Sequence, residues 1–229
     1  MVIRNFSVSL GLCLKITSLL ASSSFGAVGL IGDFNGGSLG TWTVNDILGG
    51  SGVLGWDVNT NIVDGADIRG NFTTGDTGAA HVDSDAIGVS AAGPYNIALE
   101  SPIFVSGSGE TLVFYHMFRS LDTTDFGHVE VTTDGTTWDN LTTFANTEGT
   151  IPSFPYSADS AGGSQVMLDL TGFESATTQV RFRYEGDSWD WWWQVDNVSV
   201  IPEPGSVVLL LSSLPFHFAR RRWSHSSRS

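Results

Sequence analysis

Cysteine is almost missing from this chain. The one cysteine, Cys13, lies close to the N-terminus, so no disulfide staples the rest and stability has to come from a buried core. Basic residues are nearly as scarce. Between Val28 and Ile201 only Arg69, Arg119, Arg181 and Arg183 are basic, against 23 acidic residues, which leaves that stretch at −19 while the whole chain carries −14. Such a field repels phosphate backbones and anionic lipid heads, so nucleic acid is excluded as a partner and divalent cations are favoured. Over the same stretch helical periodicity is lacking as well, with no ten residues that repeat their apolar side chains at a helical spacing. His81, His116 and His128 lack zinc-type spacing, and no two carboxylates are spaced as a glycosidase acid and base. Gly36-Gly37-Ser38-Leu39-Gly40 fits the nucleophile-elbow string. It falls in a Gly-rich loop rather than on a strand-to-helix turn, so the match is chance. The expectation is that the chain is not an enzyme.

What is present begins with two unusual ends. Residues 1–27 have the parts of a secretory signal peptide: Arg4, a mostly apolar stretch from Val8 to Leu20, then the small residues Ala21-Ser22-Ser23-Ser24. Cleavage after Gly26 or Ala27 suits that pattern. Leu12 before Cys13 argues against a lipoprotein, because the residue before a lipidated cysteine should be small. At the other end, Pro202-Glu203-Pro204 leads into 14 mostly apolar residues from Ser206 to Ala219, and Arg220-Arg221-Arg222 follows at once. As a helix that stretch would reach about 21 Å, short of a hydrocarbon core of about 30 Å. The arginines would stay on the cytoplasmic side and stop transfer.

Residues 202–229 resemble the PEP-CTERM sorting signal of bacteria that make extracellular polymeric matrix. The matching features are Pro202, Glu203 and Pro204, the apolar segment and the cluster Arg220, Arg221 and Arg222. The resemblance implies transient membrane insertion through a C-terminal transmembrane helix, processing by an exosortase-type membrane protease, and a secreted product at the cell surface or in the matrix.

Between the ends, residues 28–201 read as one all-β domain. Val129 and Val131 alternate with His128 and Glu130, and Val180, Phe182 and Tyr184 alternate with Arg181, Arg183 and Glu185. A period of two marks strands with one buried face. Thr111 to Phe118 is apolar on both sides, as in a central strand covered on both faces. Asp134-Gly135 is a hairpin signal. About ten short strands point to an antiparallel β-sandwich of the jelly-roll kind. The Gly-, Asp- and Asn-rich stretch from Gly49 to Ala92 reads as loops wrapping one edge.

Gly32-Asp33-Phe34-Asn35 with Trp42, Leu99 to Ile103, Val129 to Val131 and Val166 to Val200 together resemble the MAM-like and cleaved-adhesin jelly rolls of adhesion proteins. That resemblance implies that the first and last strands are neighbours and that Ca2+ can tie them together. Asp33, Asn35 and Asp196 are then the candidate metal ligands, since calcium takes about six to eight oxygens. The rival account makes Asp33 and Asp196 ordinary turn and edge residues. Asp57-Val58-Asn59-Thr60-Asn61 starts like an EF-hand loop but has Ile62 and Ile68 where that loop needs Gly and Glu. An irregular calcium loop from Asp57, Asn59, Asn61 and Asp64 stays open. In Trp189-Asp190-Trp191-Trp192-Trp193, alternation sends Trp191 and Trp193 one way and Trp192 the other. Trp189 and Trp192 are the expected exposed rings, placed to stack on a sugar.

Three functions follow for comparison. The favoured one is a non-catalytic surface or matrix protein that binds a polysaccharide or a surface protein. The others are a structural matrix component without a ligand and a secreted glycan hydrolase.

Overall fold

The computed structural model describes residues 31–49, 54–64, 67–86, 94–121, 124–187, 189 and 191–202. The expected signal segment at 1–27 and the tail from Glu203 through Arg220, Arg221 and Arg222 lie outside the described residues. Among the described residues fourteen strands, numbered in chain order, build two antiparallel sheets and a small two-stranded ribbon. The first sheet runs β12 (Ser164–Asp169), β9 (Glu110–Phe118), β14 (Trp192–Pro202), β6 (Ala80–Asp83), β3 (Asp57–Val58), with β1 (Ile31–Gly32) also on β14. The second runs β11 (Asp139–Phe144), β10 (Phe126–Thr132), β13 (Ser175–Gly186), β7 (Tyr95–Glu100), β2 (Thr43–Asp46), with β8 (Phe104–Ser106) on β13. The ribbon pairs β4 (Val63–Asp64) with β5 (Asp67–Ile68). Among the described residues the one helical element is a single 3-10 turn at Asn59–Asn61.

Period-two patterning explains the layers. Val129 and Val131 on β10 and Val180, Phe182 and Tyr184 on β13 face inward, where they meet Leu112, Phe114 and Phe118 of β9 and Trp193 and Val195 of β14. The hairpin between β10 and β11 forms where Asp134-Gly135 predicts it. Gly135 takes a φ of 73°, open to glycine at no steric cost, and Asp134 Oδ1 accepts from the Thr136 and Thr137 amides at 2.8 and 2.7 Å. β1 lies antiparallel on β14, Ile31 opposite Ser199, so the first and last described strands are neighbours.

One expectation is corrected. The segment from Gly49 to Ala92 is more than an edge wrapping, because its β6 sits between β14 and β3 with all four residues buried. Its loop at 69–78 crosses the outer face of the first sheet. There the loop at 69–78 is laced to the loop at 148–163: Gly70 N donates to Tyr156 O at 3.0 Å, Ser160 N to Asn71 O at 2.8 Å and Gly163 N to Thr73 O at 2.9 Å. Beneath them lies a second small core of Phe72, Met117 and Trp192, flanked by Tyr156 and Trp191. The first sheet is thus covered on both faces, which is why β9 reads as apolar throughout. The second sheet keeps a polar outer face, where Arg181 and Arg183 both pair with Glu130.

Candidate functional site

Asp196 lies on the outer face of β14, in step with Trp192 and just before a bulge that ends at Ser199, and it sits under the loop at 69–78. Its side chain is fully buried. Asp196 Oδ2 accepts from Thr73 Oγ1 and Thr74 Oγ1, each at 3.1 Å, and from Asn71 Nδ2 at 3.3 Å. The same Asn71 nitrogen donates to Asp76 Oδ1 at 2.7 Å and to the Gly78 carbonyl at 3.1 Å. Two amide hydrogens therefore serve three converging oxygens. Asn35 adds its amide to Asp76 Oδ2 at 3.5 Å and accepts from Thr77 Oγ1 at 3.2 Å. Burial, with the Asp76 charge adding to it, raises the Asp196 carboxyl to about 7 against the lowering pull of the Asn197 amide.

Of the three expected metal ligands, the structure brings Asn35 and Asp196 to the same cluster around Asp76. Asp33 is exposed and makes none of these contacts; it lines a cavity of about 300 Å3 with Phe34, Leu39 and Trp42. No group of three or more His, Cys, Asp or Glu side chains able to hold a metal occurs among the described residues. A hard cation here would draw on Asp76, Asp196, the Gly78 carbonyl and amide or hydroxyl oxygens, the donor set calcium accepts. Asp76, Asn71, Thr73, Thr74 and Gly78 went unforeseen, although Asn71-Phe72-Thr73-Thr74-Gly75-Asp76 is dense in oxygen donors.

The other proposed calcium loop is occupied with building the fold. Asn59 is buried, donating to Arg69 O at 2.9 Å and accepting from Ala79 N at 2.8 Å, and Asp57 Oδ1 accepts from Val58 N and Asn61 Nδ2. These are the bonds of a turn that ties β3 to β6.

The tryptophan cluster divides by depth. Trp189 stands 63% exposed, as expected for a ring open to ligand. Trp192 is corrected: it has no exposed surface, because the loop at 69–78 lays Phe72 against it at 5.4 Å between ring centres. Trp193 also is core, and Trp191 is half-buried. Trp191 packs with residues from two other segments. The Phe154 and Tyr156 rings meet at 5.5 Å and Tyr156 and Trp191 at 5.8 Å. Arg119, at the end of β9, places its guanidinium carbon 3.4 Å from the centre of the Trp191 ring and 4.9 Å from that of Tyr156. Tyr156 and Trp191 have φ of 66° and 72°. Bulky residues reach that region only where the surroundings force them, at a cost of about 1–3 kcal/mol each. Strain of this kind concentrates at binding sites. Phe154, Tyr156 and Arg119 went unforeseen because three distant segments supply one patch.

No protein-family model matches the chain, and no curated protein matches it. Solved structures similar to it in shape include two cleaved adhesin domains. The K1 cleaved adhesin domain of Lys-gingipain from Porphyromonas gingivalis W83 is 18% identical, with 76% of this chain and 98% of that one covered and a TM-score of 0.54. The K3 cleaved adhesin domain of the same protein is 19% identical over 76% of this chain and 98% of its own, with a TM-score of 0.52. This chain shares their fold. A carbohydrate-binding module solved with β-1,4-galactotriose overlaps 75% of this chain and 95% of its own at 11% identity, with a TM-score of 0.43, too low an agreement to support an inference.

Proposed function

We propose that this chain is an exported surface or matrix protein whose β-sandwich binds polysaccharide without transforming it. The observation that carries the reading is the aromatic edge, where Phe154, Tyr156 and Trp191 adjoin on a braced second layer and Trp189 is exposed two residues along the chain. Flat apolar rings held rigidly stack on sugar faces at little entropic cost, because the rings have few rotamers to lose. Calcium, taken up between Asp196, Asp76 and the Gly78 carbonyl, would clamp the covering loop to the last strand. The export address rests on the sequence of both ends: the signal at 1–27, and the Pro202-Glu203-Pro204 tail as substrate of an exosortase-type protease.

The full chain, titrated with a panel of polysaccharides in calcium and again in chelator, tests this. Binding to at least one of them that Trp189→Ala weakens is the expected result. Failure to bind any of them in either condition would overturn the polysaccharide reading in favour of a structural matrix role.

A further inference from the structure

Three of the four arginines between Val28 and Ile201 are paired with carboxylates. Arg69 pairs with Asp83 at 2.8 Å, and Arg181 and Arg183 both pair with Glu130, the latter at 3.0 Å. Arg119 pairs with none among the described residues. Its guanidinium lies instead among rings, 3.4 Å from the centre of Trp191, 4.8 Å from that of Trp192 and 4.9 Å from that of Tyr156, and its buried Nη1 has no hydrogen-bond partner. In a stretch with 23 acidic residues and four basic ones, a lone guanidinium kept clear of every described carboxylate is unusual. The rings hold its plane fixed and strip water from one side of it, which strengthens its pull on an anion at the open edge. Phe154, Leu121 and Trp189, at 79%, 72% and 63% exposure, carry apolar surface around the same segments.

We infer that this edge takes uronic acid units of an acidic polysaccharide. It rests on the polysaccharide reading above and names the ligand class for that site. Arg119 pairs with the sugar carboxylate, and the aromatic rings stack on the apolar faces of the sugar and its neighbour. A planar guanidinium matches a carboxylate with two parallel hydrogen bonds, where an ammonium offers only a point charge. A neutral glycan would leave the cation unused, and an acidic peptide would leave the rings without a flat face to stack on. The negative field of the rest of the domain does not forbid the encounter, since it decays over about 8 Å at physiological salt.

Short oligomers of galacturonate, mannuronate and glucuronate, each beside its methyl ester, are titrated into the full chain by calorimetry. At least one acid form binds about tenfold or more tightly than its ester, a preference of about 1.4 kcal/mol. Arg119→Gln abolishes that preference, Arg119→Lys restores part of it, and Trp189→Ala weakens both forms. Circular dichroism confirms that each variant is folded, and the acid-to-ester comparison on the unaltered protein needs no variant. Equal affinity for acid and ester, or no affinity for any of the three acids, overturns the acidic ligand; neutral glycans that still bind and are lost in Trp189→Ala would leave the polysaccharide reading intact. Displacement of a bound uronate by poly-glutamate at equal carboxylate concentration would overturn the glycan assignment and make the edge a receptor for acidic peptide.

Discussion

Arg69 donates from Nε to Asp83 Oδ2 at 2.8 Å, and both side chains are sealed from solvent at 1% and 0% exposure. Asp83 leaves the outer face of β6, and Arg69 comes from the covering loop with its guanidinium 4.8 Å from the centre of the Trp192 ring. The pair therefore joins the second layer to the first sheet. Removing one member of a buried pair costs about 3–5 kcal/mol, whereas replacing both with apolar side chains costs much less. Asp83→Ala should lower the free energy of urea unfolding by that amount, and Arg69→Met combined with Asp83→Leu should recover most of it. A double variant no more stable than Asp83→Ala would show that breaking the charge pair is not what costs the single variant its stability.

Gly78 sits where the covering loop meets the backbone that follows β1. A methyl group there would meet the Phe34 carbonyl oxygen at 2.4 Å and the Asn35 Cα at 3.1 Å, backbone on both counts. Backbone cannot swing aside as a flexible side chain does, so Gly78→Ala should destabilise by about 1–3 kcal/mol or more. Gly36, with nothing within 4 Å of the same added atom, is the control. Thermal unfolding of both variants checks this: Gly78→Ala melts several degrees lower, and Gly36→Ala does not.

The sandwich was legible because its strands obey a period of two. Val180, Phe182 and Tyr184 could be assigned to the core without knowing their partners. The second layer was not, because its order comes from cross-links between distant loops, such as Gly163 N to Thr73 O, that leave no periodic trace. The same cause misplaced Trp192. Alternation set it on the opposite face from Trp193, correctly, but that face is roofed by Phe72 rather than open to solvent. Asp33 and Asp196 were both read as candidate ligands from the resemblance; alternation with Trp192 sets Asp196 on the outer face of β14, but the loop that covers it there leaves no periodic trace.

Asp196 and Asp76 approach one amide nitrogen from two sides, Asp196 at 3.3 Å and Asp76 at 2.7 Å. Two carboxylates so placed repel one another when both are charged, and a divalent cation relieves this directly. Calcium should therefore raise the melting temperature, with a gain of about 2.7 kcal/mol when its concentration reaches a hundred times its Kd. Asp196→Asn should remove that gain while leaving the chelated protein as stable as before or more so, because the variant no longer buries a carboxylate. A calcium-induced rise of equal size in both proteins would place the cation elsewhere.

His116 lies on the inward face of β9, with its ring 4.1 Å from that of Phe144 and 5.8 Å from that of Phe114. Its Nδ1 has no hydrogen-bond partner, and burial alone holds its pKa down to about 4. In the unfolded chain the same imidazole titrates near about 6.5, so between the two values the unfolded state binds the extra proton. The stability contribution of the neutral ring is complete above the unfolded value and is lost as pH falls toward the folded one. The slope is about 1.4 kcal/mol per pH unit, reaching about 3 kcal/mol at the acid end. Carboxylates that titrate in the same range act in the protein with or without this ring, so the comparison is with His116→Leu, which keeps the site apolar. Urea unfolding from pH 7.5 to 4.5, at pH values chosen to span the window, should show the unaltered protein losing about 2–3 kcal/mol more than the variant. Parallel curves would mean that the ring reaches solvent and is protonated in the folded state without penalty.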